Sequence, residues 1–300
     1  MTRMSSPSSL SALLARPERP LLLPGAPNAL TARVIEQAGF EAVYVSGAGV
    51  TNTYLGMPDL GLMSATELAG HVAAMADSVE IPLVVDADTG FGNALNVQRT
   101  VRQLERAGAA AIQLEDQVSP KKCGHFEGKG VVTVEEMVGK VKAAVDARHS
   151  DDTLIIARTD ALAGEGIDAA IDRAGAYAEA GADILFVEAP RTHEQMARVV
   201  RDVPGIHMAN MVEGGLTPLT SREELGQLGF SIALYANAAM RGAVAGMRQV
   251  MEHLIDHGDT LDAGDLMISW ADRQELVRKP EFDALDRRYA ADVTDREERA

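Results

Sequence analysis

One thiol in 300 residues stands among cations. Cys123, the only cysteine, follows Lys121 and Lys122 and precedes Gly124-His125. A largely apolar run, 109–114, ends in Glu115 just before this segment. The thiol is therefore expected on a Gly-containing loop at the end of a strand. A free thiol titrates near ~8.5, and positive neighbours lower that value and raise the thiolate fraction. A working cysteine is one reading. A buried filler cysteine is the other, and the polarity of the run speaks against it. His125 can act as a general acid or base, or donate to a carboxylate; donation is the preferred reading.

Two carboxylates offer a second kind of chemistry. Asp86 and Asp88 are two residues apart, so in extended backbone they point the same way. Converging carboxylates repel unless a cation lies between them, and hard oxygen ligands suit Mg²⁺, or Mn²⁺ in its place. Glu115 on the adjacent strand can join directly or through water. The alternative is a helix N-cap plus a surface aspartate. Arg158 offers a planar fork to a substrate carboxylate. An ion pair with Glu188 across neighbouring strands is its alternative, and the two can coexist. Gly47 and Gly49 let backbone N–H groups approach an anion.

These residues need a scaffold that gathers them. Eight short apolar runs recur at 20–23, 42–45, 82–85, 110–114, 154–157, 184–187, 206–209 and 232–235. Between them lie Ala-rich stretches of helical spacing, several ending in Ala-Gly (38–39, 107–108, 180–181), where glycine stops a helix. Strand then helix, eight times, predicts an α/β fold of the (β/α)₈ barrel type; a doubly wound open sheet is the alternative. A barrel enzyme works at the C-terminal ends of its strands. Six consecutive runs end in small or polar groups there, from Ser46-Gly47-Ala48 to Asn210. Residues 1–9 read as a flexible tail and 10–300 as one barrel domain with a C-terminal helical extension. Helical pattern at 237–257 and from about 261 to 289 exceeds what a barrel needs; it can cap the barrel or pack on a neighbouring subunit. His207, inside a strand, reads as core. Met240, Met247 and Met251 read as packing.

A formal net charge of −16 argues against nucleic acid or an anionic membrane as partner. An acidic chain that binds an anion must concentrate cations locally, and Lys121, Lys122, Arg158 and Arg241 are the candidates. One cysteine excludes an intrachain disulfide and fits a reducing cytosol. The N-terminus lacks the apolar core of a signal peptide, and no apolar run approaches the roughly 18 residues of a membrane helix. A cytoplasmic location is expected.

From 15 to 290 the chain resembles the phosphoenolpyruvate mutase/isocitrate lyase superfamily. The matching segments are VYVSGAGV (43–50), LGMPDLG (55–61), VDADTGFGN (85–93), LEDQVSPKKCGH (114–125), IARTDA (156–161), FVEAP (186–190) and ANMVEGGLTPL (209–219). KKCGH resembles the signature of the carbon–carbon lyase branch, although carboxyphosphoenolpyruvate mutase has a similar loop. The resemblance implies a (β/α)₈ barrel with its last helix swapped between subunits, in a homotetramer built as a dimer of dimers. It implies that Asp86 and Asp88 bind Mg²⁺, with Asp59 and Glu115 linked to that ion through water. Ser46, Gly47 and Ala48 match the segment holding the 2-oxo-acid portion of the substrate. Arg158, Glu188 and Asn210 match substrate-binding positions. Cys123 matches the catalytic acid, with Gly124 and His125 beside it on the substrate, and Tyr44 is a candidate base.

The implied reaction cleaves a 2-hydroxy di- or tricarboxylate to a 2-oxo acid, such as pyruvate, and a second carboxylic acid. Glu213-Gly214-Gly215 and Tyr235-Ala236 depart from the Glu-Phe-Gly and Tyr-Pro of 2-methylisocitrate lyases, while VEAP (187–190) and NMVEGGLTPL (210–219) resemble the 2,3-dimethylmalate and 2-alkylmalate lyase group. Arg241 matches an arginine that 2-methylisocitrate lyases use for a further carboxylate. A 2-alkylmalate is the preferred substrate and 2-methylisocitrate the alternative. Oxaloacetate hydrolysis or decarboxylation and carboxyphosphoenolpyruvate mutation stand behind these.

Overall fold

A computed structural model describes residues 9–16, 20–121 and 130–290. The chain divides into two compact units, Met1–Arg241 and Gly242–Ala300.

The first unit is built on eight strands: β1 (Leu21–Ala26), β2 (Val43–Val45), β3 (Leu83–Asp86), β4 (Ala109–Glu115), β5 (Leu154–Thr159), β6 (Ile184–Val187), β7 (Ile206–Asn210) and β8 (Ile232–Tyr235). Each lies parallel to the next, and β1 pairs with β8 to close the barrel. The expected barrel is thus the observed one, and the open sheet is excluded. The strands read as continuous apolar runs because both faces are buried. Alternate residues serve two cores. Tyr44, Val84, Ile156, Phe186, Met208 and Leu234 fill the barrel. Their neighbours Val43, Val45, Val85, Ile155 and Leu185 pack under the surrounding helices.

This alternation delivers the polar groups. Two residues past the barrel filling, on the same inward face, stand Ser46, Asp86, Arg158, Glu188 and Asn210. On β4 the inward positions after Ala111 are Gln113 and Glu115. Strands β2 to β7 are therefore apolar inside at their base and polar inside at their C-terminal end, whereas β1 and β8 continue to Gly25 and Ala236.

The intervening helices are capped by their own sequence. Asn28 accepts from Thr31 N at 2.9 Å, and Ser64 and Ser221 form capping boxes with Glu67 and Glu224. The Ala-Gly stops are observed: Gly39, Gly108 and Gly181 have φ of +90°, +104° and +102°. A short helix, Leu10–Leu14, precedes the barrel, capped by Ser9. After β2, Gly47–Val50 form a helical turn that runs into a π-helical turn, Thr51–Leu55.

The helix Ala238–His257 begins in the first unit and continues into the second. The second unit adds a 3₁₀ turn, Gly264–Leu266, and the helices Trp270–Leu276 and Lys279–Tyr289. No residue of Ala238–His257 is buried, and Met247, Met251 and Ile255 are 57%, 56% and 82% exposed. The packing expected for Met247 and Met251 is therefore not made within the described chain.

Candidate active site

The polar strand ends surround a cavity of about 300 Å³ at the barrel mouth. Of the expected residues, Tyr44, Ser46, Ala48, Asp59, Asp86, Glu115, Arg158, Glu188, Asn210 and Arg241 line it. Cys123, Gly124 and His125, with Lys122, lie outside the described residues.

Asp86 and Asp88 do converge, but not by strand alternation. β3 ends at Asp86, and Asp88 adopts a left-handed φ of +49°. The convergence is registered at Gly47, where a Cβ would lie 3.2 Å from both Asp86 Oδ2 and Asp88 Oδ1. The backbone of Gly47 thus forms one side of a cradle that both carboxylates face. Asp86 Oδ1 is turned away: it accepts from the Asp88 N–H at 3.2 Å and from Gln113 Nε2 at 3.3 Å. Gln113, fully buried, in turn accepts from the Tyr44 hydroxyl at 3.1 Å. Nothing in the sequence motifs singled out Gln113; its inward parity on β4 is the signal that could have.

Lys121 is buried beside this pair, with Nζ 2.5 Å from Asp59 Oδ1 and 2.9 Å from Asp88 Oδ1. Burial disfavours its charge, but Asp88, Asp86, Glu115 and Asp59 outweigh that and hold the ammonium protonated. Burial pushes Asp88 up to about 6, against the pull of Lys121. It also pushes Glu115 well above the usual carboxylate range, against Arg158. Tyr44 is raised by burial and then by the Asp86 carboxylate, so it keeps its proton. That argues against Tyr44 as a base.

Across the cavity Arg158 is enclosed by acids. Asp160 accepts from Nε at 2.9 Å and Nη2 at 3.0 Å. Glu188 lies 3.3 Å from Nη1 and Glu115 3.4 Å from Nε. The expected pairing with Glu188 is present, but Asp160 is the bidentate partner. The guanidinium also sits over the Phe186 ring, 5.1 Å from its centroid. Asp160 is itself positioned by Asp116, whose Oδ1 accepts the Asp160 N–H at 2.9 Å. Asn210 Nδ2 donates to Glu188 Oε2 at 3.4 Å. Ser46 Oγ caps the turn at Gly49 N and donates to Asn237 Oδ1, each at 3.1 Å, which brings Asn237 into the wall unforeseen. At the rim, Arg241 donates to Glu213 Oε2 at 2.8 Å, with both side chains about half exposed. His207 is core as expected, its Nε2 2.7 Å from the Val203 carbonyl.

The donor set fits a hard cation that completes its shell with water or substrate. Among the described residues no three acidic or imidazole side chains gather tightly enough to hold an ion unaided. Two facing carboxylates are what Mg²⁺ commonly takes from a protein. Glu115 Oε1 and Asn210 Oδ1 are buried acceptors with no hydrogen-bond donor among the described residues, left for a ligand to satisfy.

The profile of the phosphoenolpyruvate phosphomutase family matches residues 10–255. The chain belongs to the phosphoenolpyruvate mutase/isocitrate lyase superfamily. It is 45% identical to 2,3-dimethylmalate lyase of Eubacterium barkeri over 287 residues, covering 96% of this chain and 99% of that one. It is 43% identical to 2-methylisocitrate lyase of Aeropyrum pernix over 266 residues, covering 89% and 85%. The crystal structure of a phosphonopyruvate hydrolase complexed with oxalate and Mg²⁺ superposes with a TM-score of 0.85 at 34% identity, covering 95% of this chain and 99% of that one. The superfamily resemblance carried by the sequence segments is thus borne out over nearly the whole chain.

Proposed function

We propose that this superfamily member is a divalent-metal-dependent carbon–carbon lyase that cleaves a 2-alkylmalate, such as 2,3-dimethylmalate, to pyruvate and a second carboxylic acid. One juxtaposition carries the reading: Asp86, which converges with Asp88 at Gly47, lines the same cavity as the Arg158 guanidinium. The substrate's 2-hydroxyl and adjacent carboxylate would lie between them. A divalent cation, Mg²⁺ or Mn²⁺, held by Asp86 and Asp88 would supply Lewis-acid stabilisation of negative charge at the 2-oxygen.

The chain's own groups do the rest. Arg158, fixed by Asp160, presents charge to the substrate carboxylate. Backbone at Ser46, Gly47 and Ala48 borders the 2-oxo product. Once the hydroxyl proton has left, the C2–C3 bond breaks; its electron pair stays on C3, and C2 becomes the carbonyl of pyruvate. Cys123, supplied by the 122–129 segment, would deliver a proton to C3, a thiol being an acid matched to neutral pH. Tyr44 is assigned to holding Gln113, and through it Asp86, rather than to proton removal.

The Glu213–Arg241 pair favours a dicarboxylate, because the rim arginine already has an anionic partner. Arg241 nevertheless borders the cavity, which keeps 2-methylisocitrate, cleaved to pyruvate and succinate, as the second reading. The assembly proposed is a homotetramer that exchanges its last helix, and the wholly unburied helix Ala238–His257 supports it. A cytoplasmic location is proposed as well; no described helix is long and apolar enough to cross a membrane.

The test is a screen of purified protein with Mg²⁺ against 2,3-dimethylmalate, other 2-alkylmalates, 2-methylisocitrate, isocitrate and oxaloacetate. Pyruvate is read through lactate dehydrogenase and other products by chromatography. The highest kcat/KM is expected on a 2-alkylmalate. Exclusive activity on oxaloacetate, or phosphonate formation from carboxyphosphoenolpyruvate, would overturn the reading.

A further inference from the structure

A lysine ammonium stands in the cleft where a divalent cation belongs. Lys121 is 5% exposed, and its Nζ contacts both Asp59 and Asp88. Asp88 is also half of the cradle at Gly47. Asp86 and Glu115 line the same cavity as Lys121 and Asp59. Resting on the metal reading above, we propose that Lys121 shares the acidic cleft with the divalent cation, weakening the metal's own binding while strengthening that of the anion that chelates it.

The argument is Coulombic. Four carboxylates in a cleft of low dielectric would hold a divalent ion tightly and repel a dianionic substrate. An ammonium inserted among them reverses part of both effects. It repels the ion, and it contributes positive charge to a wall where acids otherwise prevail. Metal alone then binds weakly, and the chelating oxygens of an incoming anion help to complete the site. A lysine suits this better than an arginine, because a compact ammonium can touch two carboxylates without spanning the cavity.

A merely structural role makes a different prediction. If Lys121 only ties its loop to Asp59, its loss loosens the site, and metal and anion both bind less well. The two accounts therefore differ in the sign of one measurement.

The experiment uses full-length protein with Lys121→Met and, as a second charge-removing variant in case the first folds poorly, Lys121→Gln. Mn²⁺ binding is titrated by electron paramagnetic resonance of the free ion at pH 8. Oxalate binding is then titrated calorimetrically at saturating Mn²⁺. Loss of Lys121 should lower the Kd for Mn²⁺ about tenfold or more and raise that for oxalate by a similar factor, a conservative reading of charges a few ångströms apart. Lys121→Arg, which keeps the charge but not the compact geometry, should fall between wild type and the charge-removing variants in both. Unchanged or weaker Mn²⁺ binding in a folded charge-removing variant overturns the proposal and leaves the metal reading intact. A wild-type protein that binds no Mn²⁺ overturns the metal reading itself, and the proposal with it.

Discussion

Asp160 grips the Arg158 guanidinium with both carboxylate oxygens, at 2.9 and 3.0 Å, and so fixes which edge of the fork faces the cavity. The grip extends outward. Asp116 holds the Asp160 N–H and accepts from Thr159 and Tyr177, each at 2.7 Å. Asp160→Asn keeps the shape and removes the charge. It should cut kcat/KM by about 10–100-fold, the cost of weakening a buried charge-assisted pair. Steady-state kinetics with a parallel melting curve check this; an unchanged kcat/KM would show that Arg158 orients itself.

Metal removal should abolish turnover. The motive is the facing Asp86 and Asp88 oxygens at Gly47. EDTA followed by desalting should leave an inactive protein, and Mg²⁺ or Mn²⁺ should restore it. Full activity at a metal content verified as negligible by mass spectrometry would remove the assignment.

Cys123→Ser should bind the substrate yet turn it over far more slowly. A hydroxyl is a much weaker acid than a thiol, and general acid catalysis is worth roughly 10²–10⁴-fold. Single-turnover rates are the measure. Retention of more than half the wild-type rate, with chemistry rate-limiting, would take the thiol out of the mechanism.

Arg241 and Glu213 test the substrate class. If Arg241 meets a third carboxylate, Arg241→Ala should lower kcat/KM on 2-methylisocitrate by about 1–2 kcal/mol, a modest figure because the pair is half exposed. 2,3-Dimethylmalate, which lacks that carboxylate, should be affected much less. Glu213→Gln should release Arg241 and improve the tricarboxylate. Equal losses on both substrates with a lowered Tm would assign Arg241 to stability alone.

The barrel was legible because each strand is a short apolar run bounded by polar residues, a pattern that survives without knowledge of any contact. The site was legible where a side chain sits at a strand end, as with Asp86, Glu115, Arg158 and Glu188. It was not legible where geometry comes from off the strand. Asp88 reaches the cradle through a left-handed turn, which no alternation rule foresees. Lys121 reads as a cation for an anionic ligand; its pairing with Asp59, far away in sequence, was not foreseen. Asp160 lies in the IARTDA segment, but its bidentate hold on Arg158, with its backbone N–H held by Asp116, follows from no spacing rule. Met247 and Met251 carry core-like chemistry, yet helical spacing does not say which partner covers them.

The cavity wall has kinetic consequences. Its acids (Asp59, Asp86, Glu115, Glu188 and Glu213) outnumber Lys121, Arg158 and Arg241, on a chain of net charge −16. A divalent cation seated among those acids offsets them locally, but a dianion approaching from a distance still meets the field of the −16 chain before it meets Arg158. Most enzymes that handle anions are slowed by salt, which screens their attraction. Here moderate ionic strength, shortening the screening length to about 8 Å, should hasten encounter with the substrate instead.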